Sequence, residues 1–341
     1  MRLPDPPSLP AARGPLSAWL LGHLRRPPHP VDLAPHPTDD PLGGDDSHLF
    51  LYLCYELHYR GLPDVDDGWE WEPSLLAARS AVEERFLDAV VDLVGAPGPC
   101  VDVGSGLRAI IDSAAGPSLS RHLLERGTLE QLREFQVHRS PYQLKEADPH
   151  TWALPRLGGR AKAAMVEIQA DEYGGGVEED MHCTLFAETM AALRLDTTYG
   201  AYVDFAPGFT LATVNLVSLF GLHRRWRGAL IGHLAVFEMT SVIPMGRYAE
   251  VCDRFGLPPS ARRFYDVHVE ADAHHEVIAV TDLASGFAEA EPERSGDVLF
   301  GARALMALEG RFARALLAAW AVGATSLRRP LPDANAEPAA A

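Results

Sequence analysis

Residues 264–276 read FYDVHVEADAHHE, three histidines, two aspartates and two glutamates in thirteen positions. A helix that had only to fold would keep such residues on its wet side. Here His268, Asp272 and His275 follow an HxxxDxxH spacing, and residues four and three apart share one face of a helix. Three potential metal ligands on a single face raise the question of where their partners lie.

The composition narrows the answer. The chain has 341 residues, 47% of them hydrophobic, enough for a large core and one or two domains. Lys plus Arg numbers 30 against 47 Asp plus Glu, a formal charge of −17. That excess argues against nucleic acid or an anionic membrane surface as partner. The cysteines at 54, 100, 183 and 252 form no CxxC pair, and the opening MRLPDPPSLPAARG lacks the pattern of a signal peptide. Reduced thiols in a cytoplasm are the expectation. No apolar run is expected to be long enough to span a bilayer.

Eleven of the 27 prolines fall before residue 42, so residues 1–44 are expected to be an irregular arm, and the tail 329–341 to be flexible. Between them the patterning is helical. Apolar residues recur at three-to-four spacing in 47–61, 74–94, 127–150, 160–176, 181–196 and 225–243. Asp297 is placed to cap a long final helix. Alternating strand patterns are scarce, so the expectation is one all-α domain over about 45–328. CVDVGSGLRAII (100–111) contains a GxGxxA pattern, but helical segments follow where a nucleotide-binding fold needs strands. Its glycines are expected to form a turn between helices.

Carboxylates recur where apolar residues would be ordinary. Glu238 lies between Phe237 and Met239; Glu146 lies in YQLKEADPH, and Glu172 in EIQADEYGGG. A dinuclear iron site needs a few imidazoles and about four carboxylates facing a bundle core. Glu146, Glu172, Glu238 and Asp272 would balance two Fe(II) ions, with His182, His268 and His275 as neutral nitrogens. One spacing resists. Glu172 and His182 stand ten residues apart, about 15 Å along an unbroken helix. Either the glycines at 174–176 break the helix and bring them together, or Glu179 is the ligand. Glu179-x-x-His182 needs no break, and spacing alone favours it.

The ordered set KEADPH, VEIQADEYGGG, MHCTLFAETM, GHLAVFEMTS and FYDVHVEADAHHE resembles the iron-containing redox enzymes of the haem-oxygenase-like diiron oxidase and oxygenase superfamily, over about 118–325. The resemblance implies a haem-oxygenase-like helical bundle without haem. It implies two Fe2+ ions held by Glu146, Glu172, His182, Glu238, His268, Asp272 and His275, and so prefers Glu172 to Glu179. O2 would be the co-substrate. Glu238 matches the extra carboxylate of the superfamily's N-oxygenases, which points to oxygenation of an amine, for example the lysine side-chain nitrogen carried to a nitro group. Oxidative C–C cleavage of a fatty or amino acid is the alternative, and a non-catalytic metal-binding helical protein the third. The substrate would be an amino acid or small amine. Arg227, with Arg225 and His223 in the same stretch, is the candidate anchor for its carboxylate, because Arg227 lies about three helical turns before Glu238. An external electron donor is required, and a homodimer is expected from relatives alone. His58, offered as a haem ligand, is read as a surface or pocket residue.

Overall fold

The computed structural model describes residues 9–332, and among these every regular element is helical. In chain order the α-helices are α1 (Pro15–Leu24), α2 (Asp45–Glu56), α3 (Pro73–Val94), α4 (Val103–Asp112), α5 (Leu119–Glu125), α6 (Leu129–Gln143) and α7 (Asp148–Thr151). They continue as α8 (Gly159–Glu172), α9 (His182–Ala192), α10 (Gly208–Leu222), α11 (Arg227–Arg254), α12 (Pro259–Ile278), α13 (Ser285–Ala290) and α14 (Ser295–Ala321). The all-α bundle predicted from the periodicity is what forms.

Local chemistry sets the boundaries. Thr128 and Gln131 make a reciprocal capping box at the start of α6, and Ser118 and Asp102 accept backbone N–H groups at the starts of α5 and α4. Asp297 does not cap α14. The helix begins two residues earlier at Ser295, and Asp297 pairs with Arg294 within the first turn. α6 contains Pro141, which cannot donate to the Val137 carbonyl one turn back; the Ser140 hydroxyl bonds that carbonyl instead, at 2.9 Å.

The long helix α11 runs through the middle, packed against α12 on one side and α14 on the other. It is long and apolar enough to satisfy a membrane-span test, contrary to expectation, but 56% of the window that passes is buried inside the protein. Glycines let α14 approach it to backbone contact. A Cβ at Gly232 would lie 1.8 Å from the Val298 carbonyl oxygen, and one at Gly301 1.9 Å from that of Ala229.

Two expectations need correction. Part of the proline-rich arm is ordered: α1 buries Leu16, Leu20, Leu21 and Leu24 in the core, and its first amides donate to Asp46 at 2.9 and 2.7 Å. Of the tail, Arg329 lies over the Phe205 ring at 4.1 Å and 3.9 Å from Asp204, while residues 333–341 lie outside the described residues. Gly104 and Gly106 sit inside α4, not in a turn. A Cβ at Gly106 would meet Leu299 of α14 at 2.7 Å, so these glycines serve close helix packing. The described residues contain no strand to build a nucleotide-binding sheet.

The α11–α14 contact yields a direct test. Gly232→Ala or Gly301→Ala has no room without moving backbone, so each should cost at least about 1–3 kcal/mol. Denaturant midpoints matching the parent protein would show that the helices do not touch there.

Candidate metal centre

Five segments deliver acidic and imidazole side chains to one buried cluster. Glu146 follows α6 in the turn before α7. Its neighbour Lys145 is 1% exposed and ion-paired with Glu56, whose other oxygen accepts the Tyr199 hydroxyl at 2.5 Å. The Lys145 ammonium also lies 4.1 Å from the Tyr59 ring centre. This buried pair fixes the turn that aims Glu146. Directly after it Ala147 takes φ 73°, a conformation that costs a non-glycine residue about 1–3 kcal/mol and sends the chain sharply into α7.

Glu172 ends α8 and His182 begins α9. Gly174, Gly175 and Gly176 between them adopt φ of 63°, 61° and 88°, and the chain folds back on itself. Glu172 Oε2 and His182 Nδ1 come to 2.9 Å. Glu179 stays exposed on the connecting turn, with its carbonyl bonded by Arg263. The glycine break therefore brings Glu172, not Glu179, to the cluster.

α12 supplies His268, Asp272 and His275 from its buried face. His268 Nδ1 donates to the Phe264 carbonyl at 2.7 Å, which leaves Nε2 facing Glu146 Oε1 at 3.6 Å. His275 Nδ1 faces Glu238 at 3.4 Å and Asp272 at 3.7 Å, while Nε2 bonds Asp171 at 2.9 Å. Asp272 accepts the Ser241 hydroxyl of α11. His274, by contrast, is exposed beside Glu167.

The donor atoms fall into two sets, Glu146–Glu172–His182–His268 and Glu172–Asp272–His275, each with all its atoms within 4.8 Å of one another. Glu172 belongs to both. Glu238 borders the second set through His275. Glu146 Oε2, His182 Nδ1 and His275 Nδ1 are buried and make no well-aligned hydrogen bond among the described residues, although the two imidazole nitrogens lie against the Glu172 and Glu238 carboxylates. Buried polar atoms are rarely left so, because their desolvation is uncompensated. A cation at the focus of each set would satisfy all three, and the oxygen-rich, thiolate-free donors suit iron or manganese.

The electrostatics match. Burial lifts Glu238 to about 8, reinforced by Asp272 and Glu172. Burial also acts to raise Glu172, but His182, His268 and His275 overcome it and hold that carboxylate at about 2. For His268 and His275 burial opposes the charged ring; the surrounding carboxylates outweigh it and lift them to about 10 and about 11. Without metal, protons on these imidazoles stand where the cations belong.

A cavity of about 730 Å³ ends on Glu146, Glu172, Glu238, His268 and Asp272. Its walls come from α6, α11 and α14, largely through Phe135, Leu234, Phe237, Met245, Leu305 and Met306. Pro244 belongs to this wall and leaves the Thr240 carbonyl, also on the wall, without a helical donor.

The expected substrate anchor lies elsewhere. Arg227 is 5% exposed and holds Glu291 with both ends of its guanidinium, Nε at 2.9 Å. Arg225 stacks over Trp226, and His223 bonds Glu83 at 2.9 Å. None of the three lines the cavity. Helical spacing put Arg227 on the Glu238 face correctly, but the start of α11 is covered by the α13–α14 connection, which spacing does not reveal. His58 is also structural, between Glu70 at 3.2 Å and Arg79 at 2.6 Å. Asp171 and Ser241, which orient two of the candidate ligands, carry no signal in the sequence; each is an ordinary polar residue until the helices pack.

Gly174 tests how the two halves meet. A Cβ there would lie 2.5 Å from the Asp180 carbonyl carbon at a φ few residues tolerate. Gly174→Ala should displace His182 and weaken metal binding about 10–100-fold, the usual cost of disturbing ligand support. Gly175→Ala, with open space around it, should cost less. Equal, unchanged affinities in a metal titration would contradict this account of the turn.

Comparison with known proteins agrees with the geometry. A family described as iron-containing redox enzyme matches residues 133–310, a span that includes every candidate ligand. A nitrosourea synthase from Streptomyces achromogenes subsp. streptozoticus is 26% identical over 160 residues, 46% of this chain and 34% of its own length. The chain thus spans about a third of that curated relative. With more than half its length matched by the family, this chain belongs to the iron-containing redox enzymes.

Proposed function

We propose that the chain is a non-haem diiron oxygenase that uses O2 to oxygenate an amine nitrogen, the lysine side chain being one candidate. The observation that carries the reading is the pair of buried donor sets sharing Glu172 at the closed end of a cavity. Glu146, His182 and His268 would hold one iron, Asp272 and His275 the other, with Glu172 between them and Glu238 beside the second. Iron bound there supplies the redox chemistry of oxygen activation, with electrons from an external donor.

The protein's own part is positional. Four buried carboxylates would offset the charge of two Fe(II) ions at the inner end of the cavity. Asp171 and Phe264 hold the outer nitrogens of His275 and His268, so the inner nitrogens face the centre. Glu238 opens onto the cavity beside the centre; metal bound there would displace its proton and leave a carboxylate facing an amine brought into the cavity. The likeness to a nitrosourea synthase supports nitrogen as the atom oxidised. The apolar walls support a second reading, oxidative cleavage of a C–C bond in a fatty or amino acid. Product analysis with lysine and with a fatty acid separates the two: new N–O bonds support the first, a shortened carbon chain the second.

Two measurements test the centre. Glu172→Ala should lose both irons, since both sets use it; retention of two irons per chain would remove Glu172 from the ligand set. Metal binding should release protons. His268 and His275, at about 10 and about 11, and Glu238, at about 8, are protonated at neutral pH and must give up protons to become ligands. Affinity should therefore rise with pH between 6 and 8, about tenfold per unit for each proton released. Calorimetry in buffers of different ionisation enthalpy counts those protons, and a count of zero would contradict the arrangement.

A further inference from the structure

The cavity carries a second polar group far from the metal centre. On α6, Gln136, Arg139 and Gln143 are three and four residues apart and so share the face that lines the cavity, with Glu146 just beyond the helix end. At 1.5 Å rise per residue, Arg139 lies about 10 Å back from Glu146. α11 gives the same direction: Tyr248, ten residues past Glu238, stacks on Phe135 at 4.8 Å beside Arg139.

Arg139 grips Glu309 of α14 with two bonds of 2.8 and 2.7 Å, and its guanidinium lies over the Phe312 and Phe135 rings at 4.6 and 5.5 Å. Both side chains keep about a fifth of their exposure, 21% and 22%, and both line the cavity. The pair is therefore a fixed plus–minus couple presented to the cavity. Beside it Gln136 Oε1 and Gln143 Oε1 are buried with no hydrogen-bond partner among the described residues. Arg314 at the same end is exposed with no ion pair among the described residues, and adds positive charge.

We propose that the Arg139–Glu309 couple receives the zwitterionic head of an α-amino acid. The α-carboxylate lies on Arg139, the α-ammonium on Glu309, and the Gln136 amide oxygen takes a remaining N–H. The side chain then runs past Gln143 toward Glu238, and a nitrogen five bonds from Cα, about 6 Å away in an extended chain of bonds about 1.5 Å long, is carried toward the centre. A simple fatty acid leaves Glu309 and both amide oxygens unanswered, which is costly for the buried oxygens. The proposal rests on the amine-oxygenase reading and assigns the specificity residues that Arg227 does not supply.

Equilibrium binding to the full chain, loaded anaerobically with Fe(II) and independently assayed for iron, tests it. The probes are L-lysine, cadaverine (no carboxylate), 6-aminohexanoate (no α-ammonium) and dodecanoate. Lysine should bind at least about tenfold more tightly than either truncated analogue, a difference of about 1.4 kcal/mol. Glu309→Gln should weaken lysine about tenfold and leave 6-aminohexanoate within about twofold. Equal binding of lysine and cadaverine, equal losses for lysine and 6-aminohexanoate in Glu309→Gln, or tighter binding of dodecanoate would each overturn the assignment. Should Glu309→Gln fold poorly, the analogue series on the parent protein decides alone. Two irons without head-group dependence defeats this site only; head-group dependence without iron keeps the site and defeats the diiron reading.

Discussion

Everything around the centre depends on keeping four carboxylates and three imidazoles together out of water. Like charges at these separations repel strongly in a buried site, and no apolar packing offsets that. Protons offset part of it when metal is absent, which is why burial and its neighbours lift Glu238 and the carboxylates lift His268 and His275. Divalent cations offset it better, because they also answer the three buried atoms that make no well-aligned hydrogen bond among the described residues. Glu172 is the point of greatest tension, as both donor sets need it.

The fold is arranged to hold that cluster despite its cost. Strained backbone lies beside the ligands: Ala147 next to Glu146, and the glycine turn between Glu172 and His182. Polar pairs stiffen the approaches, the buried Lys145–Glu56 pair behind Glu146 and the half-exposed Asp171 behind His275. The close α11–α14 contact through Gly232 and Gly301 anchors the helix that carries Glu238. These features lie on different elements, so the geometry of the centre is a property of the whole bundle.

Much of this was legible beforehand. Helical periodicity predicted most of the long helices, though not α10, and HxxxDxxH predicted one face of α12, because both depend only on 3.6 residues per turn. The Glu172–His182 approach was half legible. Three glycines signalled a break, but spacing alone favoured Glu179, and only the fold shows that residue exposed. Arg227 shows the limit more plainly. It shares a helix face with Glu238, yet the chain around Glu291 covers it, and such long-range coverage leaves no periodic trace. The Arg139–Glu309 couple was invisible for the same reason, since its halves are 170 positions apart. α1 was hidden by proline content: Pro15 sits at the first turn of a helix, where its missing N–H costs nothing.

If the shared carboxylate of Glu172 organises two metal positions and not one, anaerobic titration of the full chain with Fe(II), counting iron retained after gel filtration, saturates at two irons per chain. Saturation at one iron, or none retained at neutral pH and above, would contradict that organisation.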